Sequence, residues 1–111
     1  MFRGLIYVLF DPRDGQLRYI GQTTKTAEDR LSAHLTPSSL RAHTYVARWM
    51  SGLVKEGLRP VVSVVEYATS RDHLDELEKH YIRQGRLLGL FLVNLSEGGG
   101  GRSGCPVSEE T

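Results

Sequence analysis

The chain is poor in cysteine: Cys105 is the only one. One thiol closes no intrachain disulfide and builds no cysteine-based zinc site, so the fold does not depend on an oxidising compartment. An excess of one charge is also lacking. The formal net charge is +1, so any field that attracts nucleic acid must come from a local patch and not from the total. No apolar run approaches the roughly 18 residues of a membrane span. The apolar stretch from Gly4 to Phe10 ends in Asp11-Pro12 with no small-residue cleavage site. No signal peptide and no membrane contact are therefore expected, and the cytoplasm is the default location. A P-loop, a glycine-rich nucleotide fingerprint after a strand and a serine-triad motif are absent as well. The run Gly98 to Gly101 follows no clear strand and opens no helix, which argues against a phosphate cradle.

What is present suits one modest globular domain of 111 residues. The basic residues are mostly arginine, which favours bidentate phosphate contacts but is equally what a GC-rich genome yields. Leu5 to Phe10 reads as a buried strand. Asp11 to Gly15 is a turn, and Gln16 to Ile20 returns as the second strand of a hairpin. Tyr7 and Tyr19 stand on the two strands, but the loop and any bulge decide whether they share a face. Thr26 with Asp29 resembles a capping box, and a helix is predicted from there to about Leu35, ending before Pro37. Pro37-Ser38-Ser39 breaks the chain. Tyr45, Val46, Trp49, Met50, Leu53 and Val54 keep helical spacing between His43 and Glu56, a stripe that belongs in the core. Gly57 stops that helix. Val61 to Val65 is the clearest strand, and Thr69 or Ser70 caps a helix to about Gln84. Leu87 to Leu95 packs as a short helix, a strand or both. The polar tail that follows is expected to be poorly ordered.

Several side chains are candidates for chemistry. Leu74 and Ile82 lie four residues either side of Glu78, so this carboxylate sits in the apolar stripe of its helix while Asp72, Glu76, Lys79 and Arg83 point outward. Such a group needs a cation, a metal or several hydrogen bonds. It is either a metal ligand at the mouth of a cleft or a stripe-edge acid paired with an arginine. Arg30 and His34, four apart, share a helix face. Arg30 is a phosphate clamp or a surface cation; His34 is a base, a relay or a structural imidazole. Tyr7 and Tyr19 are core residues unless a cation or metal favours a phenolate, since a phenol near pKa ~10 is a poor base. Asn94 orients Glu78 or a water, or caps a local turn.

The order of these pieces carries more than any one of them. Leu5-Ile6-Tyr7, Tyr19-Ile20-Gly21, Arg30-x-x-x-His34, Glu78-x-x-x-Ile82 and Asn94 ahead of a Gly-Gly turn resemble the GIY-YIG nuclease family over about residues 4 to 99. The first motif departs from the family pattern, with Gly4 one place early. The resemblance implies an α/β (α+β) domain, a three-stranded antiparallel β-sheet flanked by helices. It implies a catalytic domain over residues 1–97 and a Gly-rich polar tail over 98–111. It further implies a DNA endonuclease that uses one divalent cation, Mg²⁺ or Mn²⁺, bound by Glu78. By the same resemblance Tyr7 is the general base or water activator, and Tyr19 binds the phosphate or orients the water. Arg30 steadies the phosphate charge, His34 takes the proton from Tyr7, and Asn94 supports the site from behind. DNA is the implied partner, with a specificity-providing protein or a homodimer as further options. The alternative is a non-catalytic DNA-binding or protein-interaction module on the same fold.

Overall fold

In the computed structural model, which describes residues 2–90 and 92–94, the N-terminal apolar run forms the middle strand of a sheet. β1 (Gly4–Phe10) lies between β2 (Leu17–Thr23) and β3 (Val61–Ala68), and both neighbours run antiparallel to it. Leu5, Tyr7 and Leu9 face one layer of helices, with Ala27, Leu31 and Met50. Ile6 and Val8 face the other, with Ile20 and Leu74. Burial on both faces is why β1 reads as an unbroken apolar run rather than as an alternation.

The helices follow their caps. Thr26 accepts a hydrogen bond from the Asp29 amide at 3.0 Å and starts α1 (Ala27–His34). Thr44 starts α3 (Tyr45–Lys55) and Ser70 starts α4 (Arg71–Leu87) in the same way. Gly57 ends the α3 segment at φ +74, a conformation that an L side chain resists. One expectation is corrected. Pro37-Ser38-Ser39 does not break the chain but opens α2 (Pro37–Leu40). Proline lacks only a donor that the first helical position does not use, and Thr36 caps the turn. The α3 stripe is narrower than its spacing suggests: Met50 and Leu53 are fully buried, whereas Tyr45 and Val54 are exposed. α4 continues one turn beyond Gln84.

The hairpin loop is held by Asp11, which is 2 % exposed. Its carboxylate accepts hydrogen bonds from the Arg13 amide and guanidinium and from the Trp49 indole at 2.7–3.0 Å. These bonds hold its carboxyl well below the usual carboxylate range. They also tie the loop to α3. After α4, Leu92 packs beneath the sheet, and residues 93–94 run along the outer edge of β2. Phe91, Leu95 and the expected tail lie outside the described residues. Among the described residues no helix is long and apolar enough to cross a membrane.

Candidate active site

The hairpin register decides which side chains meet. Tyr7 pairs with Gly21, Val8 with Ile20 and Leu9 with Tyr19, and the only slip in this ladder comes later, between Leu9 and Phe10. Tyr7 and Tyr19 therefore share the α1 face, with ring centroids 6.0 Å apart. Gly21 is the floor beneath both rings. A Cβ there would stand 2.6 Å from the Tyr7 hydroxyl and 2.8 Å from the Tyr19 ring. Glycine is thus required at this position by the close approach of the phenols, not by a turn.

α1 brings His34 and Arg30 to the same place. The Tyr7 hydroxyl lies 3.1 Å from His34 Nε2. The His34 ring meets Tyr19 edge-on at 5.2 Å. Burial and the Arg30 charge pull the His34 pKa down to about 4, so its imidazole is neutral at pH 7 and Nε2 can accept the Tyr7 proton. Burial, and then the neighbouring Tyr19, push the Tyr7 phenol far above its ordinary value, although Arg30 opposes the rise. Tyr19 is also pushed up by burial, with Glu78 adding to the shift and the Tyr7 hydrogen bond and Arg30 opposing it. Both phenols are protonated at neutral pH.

The carboxylates arrive from the opposite layer. Gln22 follows Gly21 and, by strand alternation, points toward α4. Its amide nitrogen donates to Glu78 Oε1 at 3.0 Å and to Asp75 Oδ1 at 2.9 Å, while its oxygen accepts from Arg71 at 3.3 Å. Glu78 is half-buried, as its place in the stripe led one to expect. Its hydrogen-bond partner is the Gln22 amide. The site therefore straddles the end of β2, with phenols, imidazole and Arg30 on one face and two carboxylates on the other. A groove of about 670 Å³ opens beside it, lined by Gln22, Arg30 and Arg71 with Thr23, Lys25 and Asp29. A larger groove of about 820 Å³, over Phe2, the start of α1 and β3, contains none of these reactive groups.

Asn94 sits on the backbone of Ile20. Its side-chain oxygen accepts from the Ile20 amide at 2.8 Å and its nitrogen donates to the Ile20 carbonyl. It clamps the free edge of β2 between Tyr19 and Gly21. Gln22 and Asp75 were not singled out from the sequence. Asp75 lies three residues before Glu78, a spacing that shares a helix face and could have drawn attention to it. Nothing local marks Gln22.

The donor set suits a hard divalent cation. Glu78 and Asp75 supply carboxylate oxygens that meet at the Gln22 amide, and oxygen donors of this kind are what Mg²⁺ favours. No group of three or more His, Cys, Asp or Glu side chains is placed to hold a metal ion among the described residues.

The family profile of the GIY-YIG catalytic domain matches residues 3–88. The chain belongs to this family of nuclease domains. Asn94 lies beyond the matched stretch. No curated protein and no solved structure matches the chain significantly.

Proposed function

We propose that this chain is an active, metal-dependent DNA endonuclease. The observation that carries the reading is the Tyr7 hydroxyl against neutral His34 within reach of the Arg30 charge. A raised phenol cannot act as a standing phenolate, so Tyr7 works as a relay. As water attacks phosphorus, Tyr7 oxygen takes a proton from the water and passes its own to His34 Nε2. Arg30 disfavours a charged His34 in the free protein. A phosphate seated at Arg30 offsets that charge, so the substrate itself raises the basicity of His34. Arg30 then steadies the negative charge that builds on the phosphate in flight, and Tyr19 orients the water or a phosphate oxygen.

Glu78 would hold the Mg²⁺ or Mn²⁺ ion. When bound, that ion supplies Lewis-acid stabilisation to the leaving oxygen as the P–O bond breaks. Asn94 acts as a positioning residue by fixing the strand between Tyr19 and Gly21. Recognition of DNA structure, a partner protein or a homodimer would supply specificity. One site cuts one strand, so double-strand cutting would need two sites or two visits.

The test is cleavage of a supercoiled plasmid with and without Mg²⁺ or Mn²⁺, with Glu78→Gln alongside. Metal-dependent nicking that the variant lacks is expected. No cutting of plasmid or branched DNA by a folded wild type would favour the non-catalytic module.

A further inference from the structure

The small net charge conceals an uneven helix. The first half of α4 carries Asp72, Asp75, Glu76 and Glu78 against the single cation Arg71, and the second half carries Lys79, Arg83 and Arg86. The three cations of the second half are exposed, and none forms an ion pair among the described residues. Lys79, Ile82, Arg83 and Arg86 fall at i, i+3, i+4 and i+7, so they make one stripe. Ile82 is also one turn beyond Glu78, which joins the stripe to the carboxylate flank. The stripe borders a groove of about 470 Å³ lined by the cations together with Ile82 and Leu87.

We propose that this flank of α4 binds the sugar-phosphate backbone of DNA alongside the Glu78 flank of the site. The inference rests on the nuclease reading for its substrate. Charge complementarity favours a polyanion, and the apolar floor suits deoxyribose rings between the phosphates. From Glu78 to Arg86 the helix rises about 12 Å. That length covers roughly three to four base pairs of duplex. The stripe is therefore a local basic patch that the total charge does not reveal, in addition to Lys25, Arg30 and Arg71 around the groove beside the site.

The test measures binding alone, in a Glu78→Gln background without added metal, by fluorescence anisotropy of a labelled duplex across a KCl series. Adding Lys79→Gln, Arg83→Gln and Arg86→Gln should weaken binding at least tenfold at low salt. It should also flatten the slope of log K against log[salt] by about 2–3, the release expected from three phosphate contacts. A charge-matched control, Arg41→Gln at the exposed C-cap of α2 with Arg48→Gln and Lys55→Gln at exposed positions of α3, should change the slope by less than about 1. If the triple stripe variant melts early, Arg83→Gln alone should still reduce the slope by about 0.9. Equal effects of stripe and control, an unchanged slope, or no binding by the Glu78→Gln parent would each overturn the proposal. Plasmid cleavage fails separately: a chain that binds through the stripe but never cuts defeats the nuclease reading and keeps this one.

Discussion

The two edges of one sheet differ in kind. Along β2 the outer backbone is covered: Asn94 brackets Ile20, and the Val93 amide donates to the Arg18 carbonyl. The end of that strand gathers two phenols, an imidazole, a guanidinium and two carboxylates. Along β3 the side chains of Val61, Val64, Val65 and Tyr67 are exposed, and Tyr67 reaches 69 %. Its one acid, Glu66, accepts a hydrogen bond from Tyr81 at 2.6 Å. The apolar edge is the more conspicuous by composition, yet the polar edge holds the candidate chemistry. Convergence of groups that burial and charge have shifted marks a site better than exposed apolar area does.

This contrast can be broken in several places. Glu78→Gln should have the largest effect, abolishing metal-dependent cleavage by about a thousandfold or more, with thermal stability little changed. A fully active Glu78→Gln enzyme would remove the chemistry from the β2 edge. Tyr7→Phe deletes the relay hydroxyl and leaves the ring in the core. Its kcat should fall by about 10²–10⁴ with KM nearly unchanged, and a change confined to KM would assign Tyr7 to binding instead. Gly21→Ala forces a methyl against both phenols. It should cost about 1–3 kcal/mol in a denaturant titration and lower cleavage by displacing Tyr7.

His34 gives the contrast a pH dependence. Its folded pKa of about 4 lies below the ordinary 6.5, so the unfolded chain takes up the proton first. The stability that neutral His34 contributes is complete above pH 6.5 and is lost as pH falls toward 4. His34→Gln should flatten that part of a melting-temperature profile; an unaltered acid slope would show that other groups set it. On the opposite edge, Val65→Thr should shift stability by no more than about 0.5 kcal/mol and leave cleavage alone. A large loss of activity there would mean that both edges contribute to the site.

Legibility in the sequence varied with the kind of interaction. β1 and the caps of α1 and α4 were readable, because burial on two faces and local hydroxyl–amide bonds leave signatures within a few residues. The four-residue α2 was not, since one turn has no periodicity and proline there reads as a breaker. Glu78 stood out because a carboxylate inside an apolar stripe is costly. Asp75 did not, because it can pass for a solvent-facing acid until Gln22 is seen to bridge both carboxylates. The depth of the phenols, and hence their protonated state, required the helices on top of them.

By itself the sequence determined the three strands, the three longer helices and the resemblance to the GIY-YIG family, and that resemblance is what nominates Tyr7, Tyr19, Arg30, His34, Glu78 and Asn94 as candidates. Only the tertiary structure decided how they meet. It set the hairpin register that lays both tyrosines over Gly21, the position of Asn94 on the Ile20 backbone, and the strand end where Gln22 links the two faces. Those contacts join residues up to 74 positions apart, and their geometry depends on loop closure and packing that no local pattern encodes.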